Sequence, residues 1–354
     1  MKYYFVSAVT IIIGATSALN TLVAQSYGSG DLPAVRSHMS RLAFICALLF
    51  CGLLVPLMLH AELVLVVVLR QNAEVARLAG RFLLLSLPAL FARFVHTFLM
   101  RFFQSLDVTA PAIISAIWGV ALDLALNLFF FLVLQWRSLD AVAVAFSIAH
   151  TITAIIAVWL SWRHEIVRTA GLWPLTVDRH ELLSGWGEFI SLAVPSVLQT
   201  LTWVAAVEFT IILAGLDKPL SQDAFGVLHF LAAIGGSLAG GLEGATCTRV
   251  GQHVGASDWR LVRVASNASL LLSIVGGLLL GTTCLVLGEP MLHLFTNQEQ
   301  VLKLAASMLN YVVALGLLAT LLAAAFGALR GIGSYWVCFL RLLTLYIYKY
   351  SKKI

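Results

Sequence analysis

Three carboxylates, Asp123, Glu208 and Glu243, stand inside long apolar runs of this 354-residue chain. An ionised carboxylate at the centre of a bilayer costs about 3 kcal/mol or more, so such groups face a cavity and often exchange a proton or a cation. Asp123 and Asn127 are i, i+4 and share one face of a helix, as an ion site on an inward surface requires. Asp123 and Glu208 are read as proton or cation sites. Glu243 follows Gly235, Gly236, Ala239, Gly240 and Gly241, and for it a site and a close-packing surface both stay open. Gln25 joins the same cavity set. Arg93 and His96 share a helix with Pro88, and Arg93 is expected to neutralise one of the acids. His150 and His229 suit either proton relay or a structural hydrogen bond within the helices.

Hydrolytic chemistry is not indicated. His164–Glu165 begins a zinc-protease pattern, but Arg168 holds the second histidine position, and no G-x-S-x-G occurs. Cys46, Cys51, Cys247, Cys284 and Cys338 lie in apolar runs without a C-x-x-C pair, so they read as inert thiols. The G-x-x-x-G spacings Gly236–Gly240, Gly277–Gly281 and Gly327–Gly331 read as helix packing, since no G-K-S/T follows. No enzyme, cofactor or metal centre is expected.

Elements able to hold such residues must be membrane helices. The chain is 60% hydrophobic and only 11% charged, too little polar surface for a soluble domain. Its net charge of +5 comes from scattered basic residues and not from a clustered patch, which argues against nucleic acid. Apolar runs of about 20 residues, each long enough to span a bilayer, are predicted near 4–25, 38–60, 80–104, 111–135, 140–162, 188–216, 224–247, 262–287 and 302–330. A doubtful tenth follows at 335–350. The first run also resembles a secretory signal, with Lys2 ahead of an apolar stretch and small residues at Ala15–Ala18.

An internal repeat places that first run inside the fold. AQSYGSGDLPAVR (24–36) aligns with GQHVGASDWRLVR (251–263), pairing Gln25 with Gln252, Gly28 with Gly255 and Asp31 with Asp258, each 227 residues apart. The glycines are predicted to end one helix and the aspartates to N-cap the next, with Pro33 following in the first copy. Five spans lie between a span and its copy, so the repeat has six helices and its copies run parallel. The predicted organisation is an N-terminal lobe over 1–162, a cytoplasmic linker over 163–187 and a C-terminal lobe over 188–354. On this arithmetic a complete version would have twelve spans, and the chain is expected to lack the first and the last two. Basic residues put the 26–37, 163–187 and 248–261 loops in the cytoplasm; Arg330 is counted with that side.

The ordered motifs resemble one family. SALNTLVAQSYGSGD (17–31) looks like the second-helix signature of the multidrug and toxic compound extrusion (MATE) transporters. LPALFARFVHTFLMRFFQSLDVTAP (87–111) resembles the fourth helix and LDLALNLFFFLVL (122–134) the fifth. GEFISLAVPSVLQ (187–199), TRVGQHVGASD (248–258) and ALRGIGS (328–334) are similar to the seventh, eighth and tenth. The resemblance implies an all-α, multi-pass membrane protein with two pseudo-symmetric helix bundles. It further implies secondary-active export of small organic cations or other xenobiotics in exchange for protons or sodium, in the plasma membrane or an organelle. Two positions depart from the family: Trp203 stands where many eukaryotic members carry a first glutamate, leaving Glu208 at the second, and Asn20 replaces a usual acid. Two alternatives share the plan, a lipid-linked oligosaccharide flippase and a transport-dead truncated copy. A flippase is expected to line its cavity with several arginines, and only Arg93 lies deep in a span.

Overall fold

The computed structural model describes residues 2–67, 73–169, 185–217, 219–338 and 340; the Glu208 side chain lies outside that description. The helices are α1 (Lys2–Gly28), α2 (Leu32–Leu59), α3 (Ala61–Val67), α4 (Ala73–Leu85), α5 (Leu87–Ser105), α6 (Ala110–Val133), α7 (Leu139–Arg163), α8 (Trp186–Asp217), α9 (Pro219–Gly255), α10 (Trp259–Leu292), α11 (Glu299–Ser307) and α12 (Leu309–Gly331). No strand occurs among the described residues. Among the described residues seven helices are long and apolar enough to cross a membrane, or eight if the bent pair α4–α5 is one span. The expected 4–25 span falls on α1. Residues 170–184 of the expected linker, and 341–350 of the doubtful last span, lie outside the described residues.

Two expected spans are broken helices. The 80–104 run bends by 50° between α4 and α5. Pro88 enters the first turn of α5, where its missing N–H costs nothing, but it cannot continue a helix from α4. The 302–330 run likewise divides at Met308 into α11 and α12. Each repeat copy therefore sets a short helix ahead of its span.

The polar punctuation between α1 and α2 forms as predicted. Asp31 Oδ1 accepts from Ala34 N at 3.0 Å, and Asp258 Oδ1 accepts from Leu261 N at 3.0 Å. α1 ends at Gly28 and α9 at Gly255. The left-handed turn residues come two positions later, Gly30 at φ +78° and Ser257 at φ +59°. Gly28 and Gly255 are needed for another reason. A Cβ on Gly28 would overlap the Gln252 carbonyl, and one on Gly255 would overlap the Gln25 carbonyl. The copies thus touch reciprocally, each glycine against the other's glutamine. Cysteines at exposed Ser29 and Ala256, one in each repeat loop, are expected to react with an impermeant thiol reagent from the same, cytoplasmic face. Labelling from opposite faces would refute a parallel repeat.

Contacts divide the chain into two units. Unit 1 comprises 1–19 and 31–189, and unit 2 comprises 20–30 and 190–354. In unit 1, α7 packs on α5 and α6 through a run of buried alanines, Ala141, Ala143, Ala145, Ala149 and Ala157. Small side chains let backbones approach in a bilayer, where dispersion and not water drives packing. Phe50, Phe91, Phe94 and Phe98 pack ring to ring between α2 and α5. The other face of α6 is open, with Val120 72% exposed, as a lipid-facing helix should be. Arg163 over Trp159 and Arg137 over Phe131, at 4.9 and 4.8 Å, mark span ends where a cation reaches the interface past an aromatic ring.

Unit 2 is built on α9, α10 and α12. Gly327 and Gly331 lay α12 against α9: a Cβ on Gly331 would sit 2.7 Å from Val250 Cβ and 2.9 Å from the Cys247 carbonyl. Gly277 plays the same part between α10 and α12. Gly236 and Gly240 do not, for both face open space, which corrects the packing role expected of that pair. Gly331→Leu should force the helices apart at a cost of about 1–3 kcal/mol, read as a lower thermal midpoint. Gly240→Leu at an open position should leave the midpoint near the parent value.

Candidate functional site

Among the described residues, polar groups within the spans form a cluster in each unit. In unit 1, α6 carries Asp123 and Asn127 one turn apart. The Asn127 amide donates to the Asp123 carbonyl at 2.8 Å and to its carboxylate Oδ1 at 3.3 Å. The two residues share a face, as their spacing predicts. Arg93 on α5 does not meet an acid, contrary to the role expected for it. Its Nη1 lies 3.3 Å from His150 Nε2 on α7. His96 Nε2 lies 3.0 Å from Ser115 Oγ, and Ser115 in turn donates to the Pro111 carbonyl at 2.7 Å.

Unit 2 centres on a residue that sequence reasoning left at the interface. Arg330 closes α12, and its side chain is only 12% exposed. Its Nη1 lies 2.8 Å from Glu243 Oε1 on α9; the angle falls short of a hydrogen bond, so that oxygen has an ionic partner and no hydrogen-bond donor. Arg330 Nη2 donates to Gln199 Oε1 on α8 at 2.9 Å, and the guanidinium stands 5.5 Å from the centre of the Tyr335 ring. Glu243 thus has its charge matched by a fixed cation.

The end of α1 closes over the same point. The last carbonyls of a helix have no partner within it, and two polar side chains of α1, one turn apart, supply partners. Thr21 Oγ1 donates to the Arg330 carbonyl at 2.9 Å, and Gln25 Nε2 donates to the Gly331 carbonyl at 2.8 Å. With its hydrogen committed, Thr21 accepts from the Tyr335 hydroxyl at 2.8 Å and from Cys247 Sγ at 3.4 Å.

Of the predicted residues, the structure joins Asp123 to Asn127, and brings Glu243 and Gln25 to one helix end. His229 stays apart, on α9 beside Phe230 and roughly 21 Å along the helix axis from Glu243. Glu208 is placed on α8, after the internal Pro195, by its backbone alone. Trp203 on the same helix is 48% exposed. Arg330, Gln199, Thr21 and Tyr335 were missed. The available signal was Arg330 itself, directly preceding the second glycine of the G-x-x-x-G at Gly327–Gly331, where a helix neighbour must come close. Among the described residues no cluster of three or more His, Cys, Asp or Glu is placed to hold a metal ion.

Known proteins resemble this chain in sequence and fold. The MatE family model matches residues 3–129 and 195–343. Mouse multidrug and toxin extrusion protein 2 is 26% identical over 328 residues, covering 93% of this chain and 56% of its own length. Human multidrug and toxin extrusion protein 1 is 27% identical over 332 residues, with 93% and 56% covered. The chain therefore spans a little over half the length of these curated relatives. Among solved structures, the eukaryotic MATE transporter AtDTX14 superposes with a TM-score of 0.81 at 23% identity, covering 94% of this chain and 73% of that one. A multidrug resistance MATE family transporter solved in an outward-facing conformation gives 0.79 at 14% identity, covering 96% and 74%. An all-helical, multi-pass membrane protein whose sequence fits the MatE model over most of its length is thereby placed: the chain belongs to the MATE family of transporters.

Proposed function

We propose that this chain acts in secondary-active export, moving organic cations or other xenobiotics out in exchange for protons or sodium. Its two helix bundles, 1–162 and 188–354, would serve as lobes joined by a cytoplasmic linker over 163–187. The observation that carries the reading is Asp123: an acid inside a span whose hydrogen-bond partner among the described residues is Asn127, with no Lys or Arg paired to it there. A carboxylate left unneutralised there is available to a mobile cation. Glu243 is not equivalent, because Arg330 already occupies it. Glu208 is the second open candidate, and Gln25 and His229 are not required by this reading. The relatives' names, multidrug and toxin extrusion proteins, support an efflux role.

The test uses the purified chain in liposomes loaded with tetraethylammonium. An inward proton or sodium gradient is expected to drive its release, and no release should occur without a gradient. Release that ignores both ions would sink the antiport reading; no release under any gradient would favour a transport-dead copy.

A further inference from the structure

Arg93 is a full positive charge in the interior of α5, and among the described residues it has no carboxylate partner. What holds it is His150, at 3.3 Å. A guanidinium stays protonated and can only donate, so the imidazole must accept through Nε2. His150 is therefore neutral here, with its proton on Nδ1, which is buried. The Phe146 ring, 4.1 Å away between centroids, packs beside the imidazole. Asp123 on α6, bound among the described residues to Asn127 alone, lies close enough for its charge to act on the same imidazole.

The other groups around His150 are few. His96 on α5 feels the charge of His150 but is tied to Ser115. From α4, Arg81 is bound to Asp140 at 2.7 Å, ten residues and about 15 Å before His150 on α7. Glu165 and Arg168 lie beyond the other end of α7. Among the described residues the cluster holds one acid, one cation tied to the imidazole, and the neutral imidazole itself.

We propose that His150 is the proton-sensing residue of unit 1, and that Arg93 is a tethered cation held off Asp123 until His150 is protonated. This rests on the antiport reading above and names its ion. A proton can bind only at Nε2, the lone pair Arg93 now uses. Binding there removes the acceptor and sets a like charge beside the guanidinium. Arg93 then turns to the nearby acid, Asp123, whose negative charge it satisfies. A mobile cation held by Asp123 is displaced. One proton enters and one positive charge leaves, so the balance is that of exchange. Sodium is not suited to trigger the step, since hard cations seek oxygen ligands and the trigger is an imidazole nitrogen. His150 acts through Arg93 and is a positioning residue; it need not touch the substrate.

The experiment is equilibrium binding of tritiated tetraphenylphosphonium to the purified full chain, measured as a function of pH. The parent should lose affinity as pH falls through the imidazole range, roughly tenfold per pH unit below the midpoint. Gln can accept from Arg93 as neutral histidine does, but it takes no proton, so His150→Gln should give a flat profile over that range. Arg93→Gln should make it shallower than the parent's, because a protonated His150 then acts on Asp123 only through space and delivers no guanidinium to it. Asp123 titrating alone would leave both variants with the parent's profile, and that result overturns the proposal. So does the parent profile surviving in either variant. Elution as a single sharp peak in gel filtration checks folding, with His150→Asn replacing a glutamine variant that aggregates. If the parent binds no organic cation at any pH, the antiport reading itself falls, and this proposal with it. Sodium at constant pH is expected to leave parent binding unchanged; displacement by sodium would also overturn it.

Discussion

Arg330→Met should be the most damaging single substitution in unit 2, lowering stability by about 3–5 kcal/mol. The reason is what it leaves behind. Glu243 Oε1 has no hydrogen-bond donor and relies on Arg330 for compensation, with the Glu243 side chain only 22% exposed. Gln199, 5% exposed, would lose the donor to its Oε1 in the same step. Removing one partner of a buried pair strands the other charge, whereas removing both need not, since the cost of desolvating two ions offsets most of their attraction. Glu243→Met together with Arg330→Met should therefore recover most of the loss. Thermal midpoints in detergent for the parent, both single variants and the double variant give the comparison. Equal midpoints for all four would mean that the ion pair contributes nothing to holding α9 and α12 together. Conversely, single variants that fall while the double variant falls further would show that the Arg330 stem packs in a way methionine cannot replace.

That expectation could not have been formed from sequence. The helix boundaries were legible because their causes are local. Asp31 and Asp258 cap the helices that follow them by bonding the amide three residues on, and a three-residue interaction leaves its mark in the order of residues. The shared face of Asp123 and Asn127 was equally readable, being fixed by helical pitch. Arg330 was not. An arginine at the end of an apolar run looks the same whether it reaches water or turns inward to a carboxylate 87 residues earlier, and only the packing of α12 on α9 distinguishes them. Gly28 and Gly255 were marked as helix ends, correctly, but the close approach that excludes a Cβ from both depends on Gln252 and Gln25, across the repeat. Arg93 misled for a similar reason. Charge alone suggests that it should find an acid, while the geometry gives it an imidazole. The break at Ser86 was foreshadowed by Pro88. The break at Met308 carries no proline nearby, and nothing in its local sequence announces it.

Glu208→Gln should abolish ion-driven efflux, a loss of 100-fold or more by order of magnitude, if two mobile charges compete for one site. Glu243 is held by Arg330. Trp203, on the same helix as Glu208, can bind neither a proton nor a cation by charge. Glu208 lies past the middle of α8, thirteen residues or roughly 20 Å after Pro195. An acid at such depth is costly to keep ionised without a counter-charge, so occupation by a proton and occupation by an organic cation become mutually exclusive ways of neutralising it. Glutamine copies the shape of the protonated acid and removes the charge for which the two compete. Exchange should then stop while the protein stays folded, which gel filtration and an unchanged thermal midpoint would establish. Asp123→Asn should also cut transport strongly, because the Asn127 amide on the same face of α6 cannot supply the charge that holds a mobile cation. The measurement is tetraethylammonium release from liposomes under a fixed proton gradient and, separately, a fixed sodium gradient. Release by Glu208→Gln at the parent rate under either gradient would remove this residue from that ion's coupling path. Asp123 would then remain as the open acid through which exchange must run.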